Sequence, residues 1–205
     1  MASGATTVMV VRHAEKPDTY NGLAYAGVDP AGDTCGAAGI ESLVTLGWQR
    51  AGGLVTLFAP PWGPKPPLLQ PGHIYAADPA TDDKGKVPSQ RPFETVTPLA
   101  TMLGLTINAK HKKDDYDKVV TDALAKSGPV LICWQHEDIV SIGQSILSQT
   151  GSTDIVLPPS WPVDKNSVAR YDLVWVFSRP SGNGPITEFV QFAQMLLAGD
   201  GPAPE

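Results

Sequence analysis

Apolar positions recur along this chain in two rhythms. Short apolar runs rich in β-branched residues occur at Thr6 to Val11, His73 to Ala77, Val130 to Trp134 and Leu173 to Phe177. Runs of this length, apolar at consecutive positions, predict strands buried on both faces. Between them the spacing becomes helical. Ile40, Leu43, Trp48, Ala51, Leu54 and Phe58 predict an amphipathic helix that Pro60-Pro61 ends. Phe93, Val96, Ala100 and Leu103 predict a second helix, with Pro98 as a distortion and Gly104 as its stop. A third is predicted over Asp114 to Lys126, its first turn acidic as the helix dipole favours, and a fourth on Ile139, Ile142, Ile146 and Leu147 up to Gly151. A last helix is predicted from Ile186 to Leu197. Strands apolar on both faces that alternate with helices imply an α/β fold: a three-layer sandwich with a mostly parallel central sheet flanked by helices.

Two stretches lack either rhythm. Pro17 to Gly39 is rich in Gly, Asp, Pro and Tyr and is predicted as a long loop, and the proline-rich segment from Pro60 to Pro71 cannot join a sheet interior. At 205 residues, with no internal repeat, residues 1–205 are expected to form a single domain. An apolar content of 42% against 18% charged residues is enough to build a core. The net charge of −6 argues against nucleic acid as a partner. No apolar run approaches the roughly 20 residues that cross a bilayer, and the first residues lack a signal-peptide pattern, so no membrane partner and a cytoplasmic location are expected. Cys35 and Cys133 differ too much in setting to suggest a disulfide and are expected to be free thiols.

Sheets of this kind bind ligands at the carboxyl ends of their strands, so polar residues just after an apolar run are the candidates for chemistry. The first run ends in Arg12-His13-Ala14-Glu15-Lys16-Pro17 and the third in Gln135-His136-Glu137-Asp138. A further polar segment, Ser89-Gln90-Arg91, opens the second helix, where backbone N–H groups can face an anion. Two arginines and two histidines could therefore meet. That combination suits a phosphoryl group: arginine forks match its oxygens, and a neutral imidazole is a nucleophile near physiological pH. Such a set needs no metal and no cofactor. Other phosphate chemistries lack their marks here. Neither cysteine has an arginine six residues later, no glycine-rich loop ends in Lys-Ser or Lys-Thr, and no serine sits in a Gly-x-Ser-x-Gly elbow. The acids Asp78, Asp82 and Asp83 lack the spacing of a calcium loop, and Asp115-Tyr116-Asp117 follows a charged run rather than a buried strand.

Arg12-His13-Ala14-Glu15-Lys16 resembles the arginine-histidine signature of the histidine phosphatase superfamily, which includes phosphoglycerate mutases and acid phosphatases. Gly47-Trp48-Gln49-Arg50-Ala51, Arg91 with Glu94-Thr95 before Leu103-Gly104-Leu105, and His136 after an apolar strand keep that family's order over residues 6 to 150. The resemblance implies that His13 accepts the phosphoryl group. Arg12, Arg91 and His136 would hold its oxygens, with Glu15 and Lys16 at the pocket edge. Glu137 stands where the acid phosphatases carry the acid that protonates the leaving group. In the mutase-like branch the acid comes from a loop, for which Asp114 or Asp115 would serve, and Glu137 also suits a plain first-turn helix acid. The expected function is hydrolysis of a small phosphate monoester through phosphohistidine. The alternatives are a mutase-like phosphotransferase and a catalytically idle phospholigand-binding domain. Selectivity is expected in the loops Asp18 to Ala38, Pro60 to Pro71 and Asp154 to Lys165.

Overall fold

The computed structural model describes residues 4–20, 23–28, 41–80 and 88–204. Cys35, Ile40, Asp82, Asp83 and much of the predicted loop from Pro17 to Gly39 lie outside the described residues.

Strand β1 (Thr7–Arg12) is central. After it come a small hairpin of β2 (Asp18–Tyr20) and β3 (Leu23–Tyr25), helix α1 (Thr45–Phe58), β4 (His73–Ala77), α2 (Arg91–Leu103) and β5 (Ile107–His111). The chain continues through α3 (Tyr116–Leu124), β6 (Val130–Trp134), α4 (His136–Thr150), β7 (Leu173–Ser178) and β8 (Glu188–Ala193). The main sheet has 6 strands in the order β5-β4-β6-β1-β7-β8. β5, β4, β6 and β1 are parallel, whereas β7 pairs antiparallel with both β1 and β8. This is the expected mostly parallel α/β sheet.

The period of two in each strand sorts its side chains into two cores. Val8 and Val10 of β1, Val130, Ile132 and Trp134 of β6 and Trp175 of β7 face α3 and α4, where they meet Val119, Ala123, Ile139 and Ile142. Met9 and Val11, Leu131 and Cys133, and Val174 and Val176 face α1 and α2, against Leu54, Phe58, Val96 and Leu99. Three layers result, with helices on both faces. The connection after β1 leads to α1 on one face and the connection after β6 leads to α4 on the other. β1 and β6 are neighbours, so a crevice opens between them at their carboxyl ends, as at a topological switch point.

Three expectations change. The predicted helix from Ile186 to Leu197 is instead the edge strand β8. Its apolar run is short enough for helical and extended spacing to coincide. Pairing with β7 decides for strand, and the aromatic and β-branched side chains suit it: Phe189 packs on Trp175 at 5.2 Å and on Phe177 at 5.0 Å between ring centroids, while Val190 and Phe192 face the other core. Ile107–His111 is a strand with no counterpart in the sequence reading. It lies at the sheet edge, is mostly half-buried and carries Lys110, as edge strands do. The predicted long loop contains the β2–β3 hairpin. α2 runs through Pro98 and ends at Gly104, whose left-handed φ of 66° matches its predicted role as the stop. No helix among the described residues is long and apolar enough to cross a membrane.

Candidate functional site

β1 delivers Arg12 and His13 at its open end. His13 extends the ladder by one bond, its backbone N–H donating to the Trp134 carbonyl at 2.9 Å. Alternation along β1 sends Arg12 toward the α3–α4 side and His13 toward the α1–α2 side. Both are buried.

The turn after His13 is fixed by its neighbours. Thr95 Oγ1 accepts from the Ala14 N–H at 2.8 Å and donates to the Arg91 carbonyl at 2.7 Å, tying this turn to the start of α2. The Glu15 carbonyl accepts from Val44 N–H, just before α1. Gly47, in the first turn of α1, permits the close approach, because a Cβ there would lie 2.6 Å from the Glu15 carbonyl oxygen. Gly47→Ala is expected to push the turn carrying His13 away from α1. The measured outcome should be a loss of about 1 to 3 kcal/mol in stability and about a hundredfold in kcat/KM, the scale of a misplaced reacting group. Thermal melting and kinetics on the same preparation check both effects.

The His13 ring is oriented by a hydrogen bond in which its Nδ1–H donates to the Ala14 carbonyl at 2.7 Å. That tautomer leaves Nε2 with its lone pair. Burial holds the His13 pKa well below the usual histidine range, and the positive charge of Arg12 works in the same direction. The Ala14 carbonyl opposes this, while Arg91 and His136 reinforce it. The ring is therefore neutral at pH 7.

A cleft of about 460 Å³ opens over this residue, lined by His13, Lys16, Arg91, Asp114, His136 and Glu137 among others. Arg91 and His136 are the first residues of α2 and α4, so both helix N-termini reach the cleft, an arrangement that favours an anion. Ser89 also lines it, and its buried Oγ has no hydrogen-bond partner among the described residues. Arg91 pairs with Glu41 at 3.3 Å. His136 has its pKa lowered by burial and by Arg12, with Glu137 pulling the other way.

Of the residues singled out in the sequence, His13, Arg91, His136, Glu137 and Lys16 share the cleft wall. Arg12 sits just behind it, close enough for its charge to act on both histidines. Glu15 does not face the cleft. It turns to the buried Arg50, which binds it through Nε at 2.9 Å and Nη2 at 2.8 Å, and that geometry makes it a support for the turn. Asp115 is also directed elsewhere, to Lys118 Nζ at 2.6 Å, whereas Asp114 lines the cleft. Burial pushes the Glu137 carboxyl up, but the hydrogen bond from its own backbone N–H and the charges of His136, Lys113 and Arg12 outweigh it, so its pKa is lowered. Such a group is ionised near neutrality, and an anion bound beside it would raise its pKa.

Other placements differ from expectation. The proline-rich loop lies at the opposite end of the sheet, where Pro66, Pro67 and Leu69 stand beside Thr7 and Ser178. It follows the end of α1 and precedes the start of β4, so it has to lie there. His111, which the sequence does not mark out, is buried and pairs with Asp122 at 2.7 Å. Burial raises the Cys133 thiol well above the ordinary range, which leaves it unreactive. Among the described residues no group of three or more His, Cys, Asp and Glu is placed to hold a metal ion.

The sequence reading missed Tyr171. Its ring lies under the Arg12 guanidinium at 3.7 Å, and the preceding Ala169 carbonyl accepts from Arg12 Nη1. No spacing pattern links residues so far apart.

No family model and no curated protein matches the sequence. Among solved structures the fold is similar to that of a "Putative Phosphohistidine Phosphatase SixA from Nakamurella multipartitia", at 13% identity and a TM-score of 0.44, covering 93% of this chain and 98% of that one.

Proposed function

We propose that this chain is a phosphatase of the histidine type, hydrolysing a phosphate monoester through a phosphorylated His13. The observation that carries this reading is the state of the His13 ring: neutral, its Nδ1–H held by the Ala14 carbonyl, and its Nε2 left as a nucleophile in a cleft lined by Arg91 and His136. The resemblance of Arg12-His13, Arg91 and His136 to the histidine phosphatase signature supports it.

In the first step Nε2 attacks phosphorus, the N–P bond forms and the ester O–P bond breaks. The alcohol leaves with a proton from Glu137 or Asp114. The ring is then cationic, and the carbonyl that accepts from Nδ1 stabilises it. Arg12 and Arg91 balance charge on the phosphoryl oxygens, and His136 donates a hydrogen bond to one of them. In the second step water attacks phosphorus, the carboxylate takes its proton, the N–P bond breaks and phosphate departs.

The test is a screen of phosphate monoesters with the purified chain. Release of inorganic phosphate supports the phosphatase. Transfer to an acceptor without release would mark a mutase, and phosphate binding with no turnover of any ester would mark a binding domain.

The role of Glu137 is separable from binding. A proton donor matters when the leaving oxygen is basic, and contributes about two to four orders of magnitude there. Glu137→Gln is therefore expected to slow an alkyl phosphate about a hundredfold or more and an activated aryl phosphate only mildly. Equal slowing of both substrates would give Glu137 a charge-setting role and move proton donation to Asp114.

A further inference from the structure

Arg12 is almost fully buried, and nothing in its own strand sets the plane of its guanidinium. Two contacts do so. The Tyr171 ring has the Arg12 Cζ 3.7 Å over its centroid, and the Ala169 carbonyl accepts from Nη1. A cation held against a ring on one face and by one carbonyl on its edge keeps its remaining N–H groups in a fixed plane. Tyr171 also approaches the turn after His13, since its ring lies 6.1 Å from that of His13.

The segment that carries Tyr171 is unusually well anchored for a stretch outside the sheet. Trp161 Nε1–H donates to the Arg170 carbonyl at 2.7 Å, and Arg170 N–H donates to the Pro162 carbonyl at 2.9 Å. The Arg170 side chain forks onto Asp172 at 2.7 and 2.6 Å and onto the Gly201 and Pro202 carbonyls, each at 2.7 Å. The neighbouring Asp200 binds Arg50, which in turn holds Glu15. The turn at 200–202 thus ties together the Tyr171 segment under Arg12 and the turn that carries His13.

From this arrangement we propose that Tyr171 is a positioning residue for the reaction, acting through Arg12 by holding its guanidinium plane toward the phosphoryl oxygens. The inference rests on the phosphatase reading for its kinetic form, but the same pairing is measurable in anion binding alone.

The experiment is a double-mutant cycle on Arg12→Ala and Tyr171→Leu, with Tyr171→Phe as the conservative variant. kcat and KM are measured on p-nitrophenyl phosphate, orthovanadate affinity by calorimetry and folding by thermal melting. Tyr171→Leu is expected to lower kcat/KM about tenfold, the scale of a desolvated cation–ring contact. Tyr171→Phe should recover all but about threefold of the wild-type value. In the Arg12→Ala background Tyr171→Leu should cost less than about twofold, because its target is gone. An equal loss in both backgrounds would show a merely structural residue and overturn the proposal, as would no loss in a folded Tyr171→Leu protein. If the wild type turns over no ester, the phosphatase reading fails. The cycle is then read in orthovanadate affinity, where additive losses would overturn the positioning role.

Discussion

Replacing His13 with alanine is expected to lower turnover of any ester the wild type hydrolyses by about four orders of magnitude or more, the scale seen when a nucleophile acting as part of a unit is removed. The cationic pocket remains, so substrate should still bind. The fold should also remain, because the His13 backbone bond to Trp134 is untouched and, among the described residues, the ring's hydrogen bond is to the Ala14 carbonyl alone. Steady-state kinetics beside a thermal melt separate these effects. A folded His13→Ala protein that keeps its phosphatase activity would remove the phosphohistidine step.

The second large effect is expected at the two arginines. Arg12→Ala and Arg91→Ala should each reduce kcat by about two to three orders of magnitude, the usual loss for one preorganised donor to a charged transition state. Their side effects should differ. Arg91 lines the cleft and pairs with the partly exposed Glu41, so its loss should act on chemistry and anion affinity with a smaller change in melting temperature. Arg12 is buried and packed on Tyr171, so its loss should also destabilise the protein. A fall of less than about fivefold in both variants would place them outside the reacting pocket.

The central strands were readable in the sequence because burial on both faces leaves unbroken apolar runs, as in Val130 to Trp134. The polar residues that end those runs, Arg12-His13 and Gln135-His136, were readable for the same reason: the change from apolar to polar marks the open edge of the sheet. β8 was not readable, since six residues with Phe189, Val190 and Phe192 fit both periods, and only pairing with β7 decides between them. The family resemblance puts Glu15 at the pocket edge, but Arg50 captures it across the fold. The proline-rich loop, expected to carry selectivity, joins the end of α1 to the start of β4 and so belongs to the end of the sheet away from the cleft. Tyr171 was out of reach for a different reason: its importance lies in a stacking contact made by an irregular segment, and neither period nor motif encodes such a contact.

The central claim is a covalent phosphoryl group on His13, and rapid quenching of a turnover with labelled substrate tests it most directly. The expected result is label on the peptide that contains His13, labile in acid, stable in alkali and absent from His13→Ala. Label on any other peptide, acid-stable label, or full turnover with no label at quench times shorter than one catalytic cycle would contradict it.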